Sequence, residues 1–195
     1  MKNNNIFVYY IIYSELKEKM SSLKSIQEQA NKLNSLCVVD LFDNLDFNEL
    51  YNKPVIMLIL RGENDNIGHY VYFNSISNGP MSKLHYFDSF GVPPLKLFVK
   101  YPHIAYNKEK INEYINFIKS FDIIDYNEHE YQDPDASTCG QYCLLFLVLN
   151  ANKHLDPDSI YILLKHFKNQ SSPGLHPGNL KFDDVMINLL QIFLK

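Results

Sequence analysis

The chain of 195 residues has only three cysteines, Cys37, Cys139 and Cys143, and no two of them form a Cys-x-x-Cys pair. An odd number at that spacing argues against a disulfide scaffold and a zinc ribbon, and it suits a reducing compartment. Long apolar runs are also missing, since nothing approaches the roughly 20 residues needed to span a bilayer. The stretch from Ile6 to Tyr13 is short, rich in tyrosine and followed by no small-residue cleavage site, so it reads as folded protein and not as a signal peptide. Positive charge is not in excess: the formal net charge is −4 and the isoelectric point is near 5.9. That balance argues against an overall footprint for nucleic acid, with Lys96, Lys100, Lys108 and Lys110 the nearest approach to a basic patch. Repeats and low-complexity tails are absent. The expectation is an intracellular chain, or one packaged in a particle made there, with no membrane span.

What is present suffices for one core. At 46% hydrophobic and 21% charged residues the chain falls within single-domain length, so residues 1–195 are read as one α+β domain. Leu16, Met20, Leu23, Ile26 and Ala30 recur at helical spacing between Ser14 and Leu33, which makes residues 1–35 a helical extension at the N-terminus. Pro54 to Leu60 (PVIMLIL) reads as a strand covered on both faces, and Gly68 to Ile76 as the next. The SNGP turn at 77–80 then pairs Lys83 to Phe90 antiparallel with it, until Gly91, Pro93 and Pro94 stop the strand. Ile111, Tyr114, Ile115, Ile118 and Phe121 share one helical face, and a strand follows at 122–126. Ser137 or Thr138 offers a cap for a buried helix that opens at Cys139 and runs to Asn152. Further helices are expected from Asp156 and Pro157 through Phe167 and from Phe182 to Leu194, with a loop at 170–179 between them.

A thiol attacks well only as thiolate, and a helix N-terminus stabilises that charge through unpaired N–H groups and the helix dipole. Cys139 is expected in that position. Gly140 beside it removes a side chain where a substrate backbone would approach, and it leaves N–H groups free for a developing oxyanion. The plain alternative is a small buried cysteine packing at a helix start. A cysteine nucleophile needs a base, and the chain has seven histidines. His103, His129, His154, His166 and His176 fall in loops or on exposed helix faces, whereas His69 heads a strand. His85 lies three residues before Asp88, so strand alternation sends those two to opposite faces. That leaves His69 as base and Asp88, on the neighbouring strand, as the group to bind its other ring nitrogen; a turn-capping role for Asp88 is the competing reading. Gln132 carries an amide that can donate to a substrate carbonyl together with the N–H of Cys139. Cys37 and Cys143 sit in apolar surroundings and read as core, with no metal site.

Three words hold these residues: Gly68-His69-Tyr70, YFDSFG at Tyr86 to Gly91 followed by Pro93-Pro94, and Gln132 with STCGQYC at Ser137 to Cys143. In that order, with separations of 19, 44 and 7 residues, they resemble the adenovirus maturation protease (adenain) and its relatives in virophages, Polinton-type elements and large DNA viruses. The resemblance runs from Pro54 to Asn150, about half of the chain. It implies a papain-like cysteine protease fold in permuted order, a mixed central sheet flanked by helices, and the site His69, Asp88, Gln132 and Cys139. It further implies an enzyme of the virion and host-cell cytoplasm that cuts viral capsid or core precursor proteins; a monomer without a cofactor is the expectation for this chain. Two departures stand out. Tyr70 replaces the tryptophan that most relatives have after the histidine, as a smaller aromatic wall beside the imidazole. Phe121 stands where the adenoviral enzyme has a cysteine bonded to its activating peptide, which argues against such a peptide here, as the acidic balance does against activation by DNA. Two other readings stay open from sequence: a SUMO or ubiquitin-like-protein isopeptidase, and a non-catalytic virion protein that keeps the protease fold as a binding module.

Overall fold

The computed structural model describes residues 22–60, 68–76, 80–101, 107–134, 136–152, 155–170 and 182–194. The run Ile6 to Tyr13, the first part of the expected N-terminal helix, and loop residues 61–67, 77–79 and 171–179 lie outside them. In chain order the elements are α1 (Leu23–Leu33), β1 (Val38–Leu41), β2 (Pro54–Leu60), β3 (Gly68–Ile76), β4 (Lys83–Asp88) and α2 (Leu97–Lys100). They continue with α3 (Lys108–Lys119), β5 (Ile123–Tyr126), α4 (Cys139–Phe146), α5 (Pro157–Gln170) and α6 (Phe182–Leu194).

The five strands form one mixed sheet in the order β1-β2-β3-β4-β5, with β1–β2 and β4–β5 parallel and the central pairs antiparallel. The fold is thus α+β, as composition and pattern suggest. Strand alternation divides the side chains between two cores. Val55, Met57, Ile59, Val71, Phe73, Leu84 and Tyr86 face α3 and the single-turn 3-10 helices at Phe42–Asn44 and Phe47–Glu49. Ile56, Leu58, Tyr70, Tyr72 and Phe87 face α1, α4, α5 and α6. This two-sided cover explains why β2 is apolar at nearly every position, where a half-exposed strand would alternate. Each fully buried Ile or Phe in such a layer contributes roughly 1.5–3 kcal/mol.

The helix ends follow local chemistry. Ser22 accepts the N–H of Ser25 at 3.2 Å to start α1, and Asn107 accepts that of Glu109 at 2.9 Å to start α3. Asp156 accepts the N–H of Ser159 at 2.9 Å just before Pro157. Thr138 stands at the cap position of α4 without a capping side-chain bond, so the expected cap there is positional only. The helix also changes pitch: it is α-helical to Phe146 and then a π-helical turn through Leu147–Asn152, where the sequence pattern reads as uniform.

Candidate active site

The end of the sheet where β3 begins and β4 finishes meets the head of α4. Val71 of β3 pairs with Asp88 of β4, so His69, two residues before Val71, lies diagonal to Asp88 on the same face. The contact is made: His69 Nε2 and Asp88 Oδ2 are 2.9 Å apart, with both side chains buried. The other carboxylate oxygen, Oδ1, accepts the N–H of Phe90 at 2.7 Å. The Asp88 backbone is held as well, because its N–H donates to Asn127 Oδ1 at 3.0 Å and its carbonyl accepts from Asn127 Nδ2.

His69 Nε2 is committed to Asp88, and the thiol of Cys139 lies within interacting reach of the imidazole. Burial by itself raises the Cys139 pKa; the bond and charge of His69 and the N–H groups of Tyr70 and Gly140 outweigh that and leave it lowered. Burial likewise disfavours imidazolium, yet the Asp88 charge and hydrogen bond, with a smaller part from Cys139, carry His69 up to about 10. Both directions favour a thiolate–imidazolium pair. The other two thiols go the opposite way: burial pushes Cys37 up to about 12 and Cys143 well above an ordinary thiol.

Aromatic rings wall the imidazole, and they are not the one read from sequence. The His69 ring lies 5.2 Å from the centroid of Phe90, tilted by 31°, and 5.2 Å from that of Tyr101, tilted by 37°. Tyr70 follows His69 on the strand and so points to the opposite face, into the α4 core. There it lines Gly140: a Cβ on that glycine would meet Ile26 Cδ1 at 2.7 Å and Tyr70 Cδ2 at 3.2 Å. The missing side chain of Gly140 therefore serves close packing of α4 on α1 and β3, in space already filled by the protein itself.

Gln132 is buried in the loop before Cys139, but its amide is already engaged: Oε1 accepts from Ser89 Oγ at 2.7 Å, and Nε2 donates to the carbonyl of Ala136. His69, Asp88 and Cys139 are joined directly, then, while Gln132 is tied to the end of β4 through Ser89. His85 faces away from this group and bonds Asn150 through Nδ1 at 3.1 Å. His129 and His166 are exposed. His103, His154 and His176 lie outside the described residues. Sequence reasoning passed over Ser89, Phe90, Tyr101 and Asn127. Ser89 and Phe90 stand inside the YFDSFG word, while nothing local distinguishes Tyr101 or Asn127.

No family model matches the chain, and no curated protein matches it. The functional reading therefore falls to the site's own chemistry. Among the described residues no cluster of three or more His, Cys, Asp or Glu could hold a metal ion. Among them, too, no helix is long and apolar enough to cross a membrane.

Proposed function

We propose that the chain is a cysteine endopeptidase of the adenain-like type, with Cys139 as nucleophile, His69 as its base, Asp88 as orienting carboxylate and Gln132 as oxyanion donor. One observation carries this reading: a fully buried His69–Asp88 pair, with Nε2 and Oδ2 2.9 Å apart, adjoins the cysteine that opens a buried helix. His69 takes the Cys139 proton, and the thiolate attacks a peptide carbonyl carbon. The tetrahedral oxyanion is held by backbone N–H groups and by the second N–H of Gln132. Imidazolium then protonates the departing amine as the C–N bond breaks, leaving a thioester. Water, deprotonated by the same imidazole, hydrolyses the thioester and returns the thiol.

The finer fold assignment belongs to the same proposal: a papain-like arrangement in permuted order, in which the histidine strand precedes the cysteine helix. The substrates are viral capsid or core precursor proteins, cut in the virion and the host-cell cytoplasm by a monomeric enzyme without a bound cofactor. Phe121 supports the absence of a disulfide-linked activator, since it is buried with its ring 5.1 Å from that of Phe117. The test is to incubate precursor proteins with the wild type and with Cys139→Ala and to sequence new termini by mass spectrometry. New termini from the wild type alone support the assignment, and identical uncleaved bands from both overturn it. Reaction with a ubiquitin-like vinyl sulfone in place of precursor cleavage would assign the site to isopeptidase chemistry instead.

A further inference from the structure

Gln132 has an amide whose two ends are chemically opposite, and a half-turn about its last bond would aim an acceptor where an oxyanion needs a donor. The structure settles which end faces which neighbour. The carbonyl of Ala136 can only accept, so the NH2 end must face it. The oxygen end then meets Ser89 Oγ at 2.7 Å, and the Ser89 hydroxyl is the donor. Ser89 is fully buried, and its own carbonyl accepts the N–H groups of Tyr131 at 2.8 Å and Gln132 at 3.1 Å. The serine thus binds both the backbone and the side chain of the glutamine.

From this geometry we infer that Ser89 is a positioning residue that locks the Gln132 amide with its NH2 group toward the Cys139 loop. The inference rests on the proteolytic reading for its catalytic consequence. Ser89 directly follows Asp88, so the end of β4 orients the base through its last residue and the turn after it orients the oxyanion donor through the next. Without the Ser89 hydroxyl, Gln132 Oε1 is buried with no donor, and the amide loses the restraint against turning over.

The test uses the full chain and the peptide that the wild type cuts fastest in a quenched-fluorescence library. Removing an oxyanion donor costs about 10²–10³ in kcat, so loss of its restraint in Ser89→Ala should lower kcat by about tenfold or more, with KM within about twofold. In the Gln132→Ala background Ser89→Ala should cost nothing further, because there is no amide left to hold. An equal loss in both backgrounds makes Ser89 a merely structural residue and overturns the inference. Iodoacetamide alkylation of Cys139 should stay at the wild-type rate, since the His69 pair is intact. A second measurement is independent of proteolysis: the Gln132 side-chain NH2 resonances, assigned with Gln132→Ala, should be protected from hydrogen exchange in the wild type and lose that protection in Ser89→Ala. Unchanged protection overturns the inference even if no peptide is ever cut, whereas failure of the wild type to cut peptides counts against the proteolytic reading alone.

Discussion

His69 Nε2 lies 2.9 Å from Asp88 Oδ2, with the histidine 2% exposed and the aspartate 0%. Neither group can turn to water, so each is the other's main compensation for lost hydration. Removing one partner of such a pair costs about 3–5 kcal/mol, because the survivor stays buried and uncompensated. The second carboxylate oxygen is taken by the Phe90 N–H, and the rings of Phe90 and Tyr101 enclose the imidazole. The histidine is therefore fixed in orientation before any substrate arrives.

The pH dependence of hydrolysis should follow this pair. Below the lowered Cys139 pKa the site holds thiol and imidazolium; above about 10 it holds thiolate and neutral imidazole. The productive ion pair lies between, giving a bell whose alkaline limb is set by His69. In Asp88→Asn the charge that raises His69 is gone, and burial, which lowers it, then dominates. The alkaline limb should move well below 10, and the maximal rate should fall by roughly 10²-fold, the scale of general acid–base catalysis. A profile of kcat/KM against pH that keeps its alkaline limb in the variant would refute the role given to Asp88.

Thiol chemistry should distinguish the three cysteines. Cys37 and Cys143 are buried, and burial raises both. Cys139 is lowered, against its own burial, by His69 and by the N–H groups of Tyr70 and Gly140. Iodoacetamide at neutral pH should alkylate Cys139 first by at least about tenfold in the native protein, and His69→Ala should remove most of that lead. Peptide mapping by mass spectrometry reads the order directly. Comparable labelling of all three in the folded wild type would refute the ion-pair assignment.

The central sheet was legible because its strands announce themselves. PVIMLIL gives β2 and GHYVYFNSI gives β3 with the ends observed, and the SNGP turn fixed their order with β4. The edge strand β1 was not, because Val38–Leu41 is four residues long and pairs in parallel with β2, which leaves no turn signal. Short 3-10 turns around Phe42 and Phe47 and the single turn of α2 carry too few residues to show a period. In the site, alternation along β4 parted His85 from Asp88, and His69 was left as the base by its place at the head of β3. The same alternation along β3 sends Tyr70 to the face opposite His69, a consequence overridden by reading the aromatic residue next in sequence as the one next in space. The partners Tyr101 and Asn127 come from elements remote in the chain, and a single sequence holds no record of such contacts.

Asn127 should prove necessary although it touches neither the thiol nor the imidazole. It is 2% exposed, and its amide spans the Asp88 N–H and carbonyl and also reaches the carbonyl of His129. Replacement by alanine leaves the buried Asp88 N–H without a partner, at about 1–3 kcal/mol, while the Asp88 carbonyl keeps only the Gly91 N–H. Asn127→Ala should lower the urea midpoint accordingly and reduce kcat more than it raises KM, because Asp88 loses its fixed position. Asn127→Asp restores the acceptor for the Asp88 N–H but not the donors, and should recover only part of the loss. A variant that melts like the wild type while losing activity would show that Asn127 acts on the reaction by some route other than holding the strand end.

Gly91 closes the turn that carries Asp88, Ser89 and Phe90, and its N–H donates to the Asp88 carbonyl at 2.9 Å. Its φ of +68° lies in the left-handed region, where a side chain is strained by about 1–3 kcal/mol. A Cβ there would also stand 2.9 Å from the His129 carbonyl carbon and 3.0 Å from its oxygen. Both are backbone atoms and cannot swing aside, so the turn itself must shift. Gly91→Ala should therefore cost more than the conformational strain alone and pull Phe90 from the imidazole, since Phe90 is the residue just before it. The expected result is a lowered melting midpoint together with a drop in Cys139 alkylation rate, as the Phe90 N–H leaves Asp88 and the carboxylate loosens its hold on His69. Differential scanning calorimetry and the alkylation assay on the same sample separate the two effects, and a variant with unchanged alkylation would show that the turn supports the fold without supporting the site.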